Sequence, residues 1–261
     1  MTTARIVTLD IETSPILAYC WGLFKQFIGL NQIVEDWTII AVSYKWLGEK
    51  KLYHHNTGGR GRAKVRDDKA LLKVIWQVLD EADIVIAQNG KKFDMKKINA
   101  RFIQADMLPP SPYKVVDTML EARAIAAFTS NKLAWLSDVL TETPKDEHKE
   151  YVGFDLWTAC LADDPKAWKV MKKYNDRDIV ATEGVYLKLR PYIIGHPNLA
   201  AYNDDDAMQC PKCTSTNMQR RGTTVTQTGE YQRWVCGSCG GWARTRYTQN
   251  NIKKRRSLLS N

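Results

Sequence analysis

The 261-residue sequence has no hydrophobic run long enough to cross a bilayer, and its opening, MTTARIVTLDIETSP, has no apolar signal core. A membrane-embedded or exported protein is therefore not expected, and a cytoplasmic location is. There is no internal repeat and no low-complexity stretch, which excludes a repeat-built array. Cysteine is sparse: four of the six stand in two CxxC pairs. Cys20 and Cys160 stand alone in apolar or aromatic settings, where small core residues are expected. Acidic side chains become scarce toward the C-terminus. Residues 205–261 hold ten Lys/Arg against three acids, a net +7, whereas the rest of the chain carries +2. A near-neutral body with a basic end suggests a polyanionic partner.

What is present suits one medium domain with a small attachment: 44% hydrophobic and 26% charged residues can bury a real core. The β-branched and apolar runs at 5–11 and 38–47 predict two strands, and KKLYHHN at 50–56 reads as a third joined by a tight turn at Gly48, three strands in a meander. A helix is expected at 67–80, capped by Asp67 or Asp68, and then a short strand at 83–89. Phe93–Gln104 has helical periodicity, with Phe93 expected to anchor that helix in the core. A fifth strand is expected at 114–118, after Pro109, Pro110 and Pro112. The stretch from Thr118 to about Leu140 reads as helical, with a break at Ser130-Asn131. A long helix from about Asp164 to Tyr192 closes the body. The order predicts an α/β fold, a mixed five-stranded sheet flanked by helices. Residues 19–36 are aromatic-rich and read as a loop or short helix beside the first strand. Residues 56–66 read as a solvated loop or as a clamp on nucleic acid.

Four acids in this frame can converge: Asp10, Glu12, Asp94 and Asp178, spread over 169 positions. Asp10 and Glu12 share one face of a strand. Asp94 opens a helix, where the dipole favours a carboxylate. Tyr174 and Asp178, four apart, share a helix face. Each fragment also has a plainer reading: a surface acid, a capping acid, a solvated helix face. Together they gather a negative charge that is tolerable with cations between the groups, as in phosphodiester hydrolysis by two divalent metals.

Through DIET, NGKKFD and YNDRD, in that order, residues 5–192 resemble the DEDD 3′–5′ exonucleases on the RNase H-like fold, relatives of polymerase proofreading domains. Tyr174 corresponds to the DEDDy branch; the histidine of the other branch would fall at Lys173. Asp117 in KVVDT and the LSDVL segment also fit. The resemblance implies that Asp10 bridges two Mg²⁺ or Mn²⁺ ions and that Glu12 and Asp178 complete the site of the attacking water. It implies further that Asp94 supports the second metal, that Tyr174 orients the nucleophile, and that 5′-mononucleotides leave a 3′ end. A stand-alone nuclease of this kind is similar to bacteriophage enzymes, which would place it in the host cytoplasm.

Cys210, Cys213, Cys236 and Cys239, as CxxC-x22-CxxC, predict one structural Zn²⁺ in a zinc ribbon. Arg220, Arg221, Arg233, Arg244 and Arg246 interleave with Trp234 and Trp242, which points to nucleic-acid binding, with protein docking as the other reading. The expected organisation is an exonuclease domain at 1–198, a linker at 199–208, the ribbon at 209–248 and a basic tail at 249–261. The expected substrate is single-stranded DNA or frayed 3′ ends, DNA ahead of RNA, with a replication or repair partner and no membrane. Two alternatives stand beside it: a non-catalytic nucleic-acid-binding or scaffold protein, and a structure-selective endonuclease using the same site.

Overall fold

Asp10 and Glu12 sit on the middle strand of a sheet that stops short beside them. In the computed structural model, which describes residues 3–142 and 150–259, the strands of the body are β1 (Ile6–Thr13), β2 (Leu17–Ala18), β3 (Ile33–Glu35), β4 (Ile39–Trp46), β5 (Leu52–Asn56), β6 (Ile84–Ala87) and β7 (Lys114–Asp117). The main sheet runs β5-β4-β1-β6-β7, and β2 and β3 form a separate two-stranded ribbon. β1 pairs antiparallel with β4 and parallel with β6, whose ladder ends at Thr8↔Ile86. The second half of β1 thus extends beyond the carboxyl end of β6, the edge where open α/β sheets place their ligands. A bulge between Glu12 and Thr13 against β4 adds a local kink at the same place.

Alternation on β1 divides the two faces. Val7, Leu9 and Ile11 enter a core with helices α1 (Lys69–Glu81) and α2 (Asp94–Gln104). Leu71, Leu72, Ile75, Val78 and Leu79 lie along one stripe of α1 and are buried there. Each such side chain contributes about 1.5–3 kcal/mol on leaving water. The other face is covered by α5 (Asp155–Leu161) and α6 (Pro165–Leu189), where Ile40 and Ala41 pack with Leu156, Cys160, Trp168 and Met171. Every residue of β6 is buried, as expected of a strand covered on both sides.

The expected five-stranded mixed sheet flanked by helices is the observed fold. The stretch expected to be one helix with a break is two helices, α3 (Thr118–Ile125) and α4 (Leu133–Leu140), with Ala126 extended between them. Two expectations are corrected, and the helix cap falls to one of its two candidates. Phe93 is exposed at the N-cap of α2, and Met95, Ile98 and Phe102, on the stripe facing α1, anchor that helix instead. Cys20 is exposed, because residues after Leu17 leave the core, whereas Cys160 is buried. Of the two expected caps of α1, Asp67 accepts from the Lys69 N–H at 3.3 Å, whereas the Asp68 carboxylate accepts from the Ile39 N–H and from Nε and Nη2 of Arg101, at 2.7 and 2.8 Å.

The chain forms two compact units, one spanning Arg5–Tyr186 and the other holding everything from Leu187 onward with the few residues before Arg5. In the second, β8 (Met218–Thr226), β9 (Gly229–Cys236) and β10 (Trp242–Arg244) form a sheet in the order β10-β9-β8. Leu199 is buried there and donates to the Pro211 carbonyl at 2.7 Å. In the basic tail, α7 (Ile252–Ser257) is capped by Asn251, whose side chain accepts from the Lys254 N–H at 2.8 Å; residues 260–261 lie outside the described residues. Among the described residues no helix is long and apolar enough to cross a membrane.

Candidate active site

Asp10, Glu12 and Asp178 each bring one carboxylate oxygen within 4.8 Å of the others. The strand supplies two by its period of two, and α6 lays the third over that face. Asn175, one turn before Asp178 on α6, is fully buried. Its amide nitrogen donates to Asp10 Oδ2 at 2.6 Å and reaches the Asp10 carbonyl at 3.4 Å. Its Oδ1 is buried without a hydrogen-bond partner among the described residues. Asn175 was not foreseen, since an asparagine on a helix carries no sequence signal for its partner.

Asp94 is not one of the converging three. Its Oδ1 accepts from the Ile11 N–H at 3.2 Å, a backbone donor beyond the end of the β6 ladder. Burial pushes the Asp94 carboxyl up to about 7, the Ile11 N–H and its own N–H oppose the shift, and Asp117 adds to it. The loop before Asp94 is tightly held. Asn89 takes a positive φ of 61°, and a Cβ on Gly90 would lie 2.4 Å from Ala87 Cβ. Asp117, fully buried, accepts from the N–H groups of Asn89 and Lys91 at 3.0 Å each and caps α3 through Met119 and Leu120. One carboxylate thus joins the loop that delivers Asp94 to the start of α3.

Tyr174 lies one helical turn before Asp178, with its ring edge-on to Trp157 of α5 at 6.1 Å. Sequence reading had no place for α5, a seven-residue helix without a strong period. Opposite Asp10 in register, Ser43 donates to Asp176 Oδ1 at 2.7 Å and bonds His54 Nδ1 at 2.8 Å. Burial lowers the His54 pKa to about 4, against the pull of Asp176 and with help from Lys172 and His55. Also on α6, Lys169, Lys172, Lys173 and Arg177 line a groove of about 580 Å³ together with Leu52, Asp176 and Val180.

In the second unit, Cys210, Cys213, Cys236 and Cys239 converge, with Sγ–Sγ distances of 3.6 Å for 210–239 and for 213–236. Those distances match a tetrahedron with sulfur about 2.3 Å from a central zinc. Thr214 and Gly240 adopt positive φ in the two turns, and Ser238 and Gly241 donate N–H groups to Cys236 and Cys239 sulfurs at 3.4 Å. Burial opposes ionisation of Cys236, but the N–H groups of Cys239 and Ser238 prevail and bring it down to about 6. The arrangement is compatible with a zinc ribbon.

The ribbon sheet divides the candidate nucleic-acid residues between its faces. Arg233, Trp242 and Arg244 share a face with Tyr231, with Arg233 4.7 Å from the Trp242 ring centre and Arg244 4.0 Å from that of Tyr231. Trp234 and Arg220 pair on the opposite face, where Arg220 Nε bonds Gln232. Arg221 bonds Gln219, and Arg246 lies over Tyr247 at 5.9 Å.

Residues 35–190 match the profile of the RNase H superfamily. The chain belongs to that superfamily. In this RNase H-like, nuclease-like domain, Asp94, Tyr174 and Asp178 fall within the matched stretch, and Asp10 and Glu12 precede it. Over 203 residues, 72% of the chain, it is 29% identical to the DNA polymerase III PolC-type of Ureaplasma parvum serovar 3, and it spans 13% of that protein's length. The family B DNA polymerase of the hyperthermophilic archaeon Pyrobaculum calidifontis overlays with a TM-score of 0.46 at 13% identity, covering 73% of this chain and 26% of that one.

Proposed function

We propose that the protein is a divalent-metal-dependent 3′–5′ exonuclease that releases 5′-mononucleotides from nucleic acid, DNA ahead of RNA. The observation that carries this is the convergence of Asp10, Glu12 and Asp178 within 4.8 Å at the carboxyl edge of the sheet. An all-oxygen donor set at that spacing suits two hard cations, Mg²⁺ or Mn²⁺, whose oxygen ligands stand about 2.0–2.6 Å away. Bound there, the cations supply a water of lowered pKa and neutralise charge on the phosphoryl oxygens.

The chain's own groups do the rest. Asp10 is the central ligand, held in place by Asn175, and Glu12 and Asp178 flank it. Asp94 stands behind, its buried carboxyl favouring a nearby cation. Tyr174 orients the attacking water, the DEDDy arrangement. Four cysteines hold one structural Zn²⁺, and the Arg233, Trp242 and Arg244 face of the ribbon grips single-stranded DNA or a frayed 3′ end, with Arg220, Arg221, Trp234 and Arg246 around it. The body is read as 1–198, followed by a linker at 199–208, the ribbon at 209–248 and the basic tail. The setting is a cytoplasm, the host's for a phage-encoded enzyme, with a replication or repair partner.

End-labelled single-stranded DNA, RNA and duplexes, incubated with Mg²⁺, Mn²⁺ or chelator, test the reading. Mononucleotides should appear from the 3′ end with metal alone. Internal cuts would favour the endonuclease, and binding without hydrolysis would favour the scaffold protein.

A further inference from the structure

Between Leu17 and Glu35 the chain leaves the body as an arm whose aromatic side chains face outward. Trp21, Phe24 and Phe27 are 98%, 86% and 100% exposed, and Tyr19 is largely exposed as well. Residues 16–34 carry one charged side chain, Lys25, in a chain that is 26% charged. Contiguous exposure of this kind marks an interaction site.

The arm is organised rather than collapsed. Gln26 Oε1 accepts from the Trp21 N–H at 3.1 Å. Gln32 Oε1 accepts from the Gly29 N–H at 2.8 Å, and its Nε2 donates to the Tyr19 carbonyl at 2.9 Å. Two side-chain amides thus serve the arm's own backbone, while the rings remain outside.

Its root is fixed beside the carboxylates. Ser14, two residues after Glu12, donates its N–H to the Thr38 carbonyl at 2.8 Å. Arg66 Nη1 reaches Ser14 Oγ, the Pro15 carbonyl and the Asp36 carbonyl at 2.9, 3.0 and 2.9 Å. Its Nε pairs with Glu35 at the far end of the arm. Arg66 therefore ties both ends of the arm together, in register with β1.

We propose that this arm clamps the single-stranded end of the nucleic-acid substrate by stacking Trp21, Phe24 and Phe27 on unpaired bases. The proposal rests on the exonuclease reading for its ligand. Three points favour bases over a protein partner or a second copy of this chain. The arm is rooted two residues from Glu12, where the strand end must enter. Its exposed rings are planar, and every base offers a face to stack on. It lacks acids and carries Lys25, which suits a polyanion.

The test compares two triple variants, Trp21→Leu/Phe24→Leu/Phe27→Leu and Trp21→Ser/Phe24→Ser/Phe27→Ser, with the wild-type chain, after circular dichroism has shown all three folded. Binding is measured with Ca²⁺ in place of Mg²⁺, on a single-stranded oligonucleotide carrying 2-aminopurine next to its 3′ end. Both variants should bind about tenfold or more weakly, with loss of the fluorescence change seen on wild-type binding. Wild-type affinity in the leucine variant overturns the proposal, because leucine keeps apolar docking and removes the stacking plane. So does a wild-type dimer that only the serine variant dissolves, which would make the arm a contact between copies. Arm-dependent binding by a wild-type protein without Mg²⁺-dependent hydrolysis would sink the exonuclease and leave the arm standing.

Discussion

Asp178 and Asn175 carry the sharpest expectations at the scale of single residues. Asp178→Asn keeps the shape and removes the charge, so Mg²⁺-dependent mononucleotide release should fall by more than about 100-fold, beyond the usual loss for a supporting residue. A variant as active as wild type on end-labelled DNA would sink the site. Asn175→Ala frees the Asp10 carboxylate from its 2.6 Å hydrogen bond. Activity should drop by about 10–100-fold, with a weaker requirement-curve midpoint for Mg²⁺, because the ligand it orients is loosened. Undiminished metal affinity in a Mg²⁺ titration would show that Asn175 does not position Asp10. Asp10, Glu12 and Asp178 were legible because strand and helix periods set the face each occupies and the exonuclease resemblance joins the three fragments, while their convergence needed the fold. Asn175 was not, and Asp117 fitted the resemblance without its role being readable, since both roles depend on partners 165 and 28 residues away.

At the scale of elements, one buried ion pair joins three pieces of structure. Asp68, at the start of α1, holds the Ile39 N–H at the start of β4 and the Arg101 guanidinium of α2. Arg101→Ala leaves a carboxylate that is 1% exposed without its counter-charge. About 3–5 kcal/mol of stability should be lost, read as a lower urea midpoint; an unchanged midpoint would show that water or relaxation replaces the pair. The same residues show why, of the two candidate caps, Asp67 and not Asp68 accepts from the first N–H of α1. Asp68 occupies the position a cap requires, yet a bidentate arginine offered by tertiary packing outcompetes the local backbone. Strand β1 and helices α1, α2 and α6 were readable from a two- or 3.6-residue apolar period, and β4 and β6 from short β-branched apolar runs. α5 and the β2–β3 ribbon were not, since seven residues and five give too few repeats, and Phe93 misled because periodicity does not say which side of a helix start meets the core.

For the whole molecule, metal in the ribbon acts on one unit and protons act on both. On the proposal that the four cysteines hold zinc, a strong chelator should unfold the ribbon, since a sheet this small buries too little to hold itself. The affinity for single-stranded DNA should fall and its salt dependence weaken, while the body keeps its circular dichroism. Unchanged binding by the zinc-free protein would favour a protein-docking ribbon. Acid should act on both units through His54 and His196, each held by burial near a pKa of about 4. The unfolded chain takes up protons near the ordinary histidine value, about 6.5, before the folded one does. The stability these two imidazoles contribute is therefore complete above that pH and is lost as pH falls toward 4. Asp94, pushed up to about 7, works in the opposite sense. The check is an NMR titration of the folded chain, in which either imidazole titrating near 6.5 would contradict this. By itself the sequence determined the sheet, its flanking helices, the carboxylates on strand and helix, and the cysteine tetrad, because local periodicity and fixed spacing suffice for these. Only the tertiary structure decided that Asp94 binds the Ile11 N–H and is not one of the converging three, that Asn175 holds Asp10, which ribbon face carries Arg233 and Trp242, and that the 16–34 arm turns its aromatics outward. Those outcomes depend on where one strand ends relative to its neighbour and on which distant group reaches a buried polar atom first.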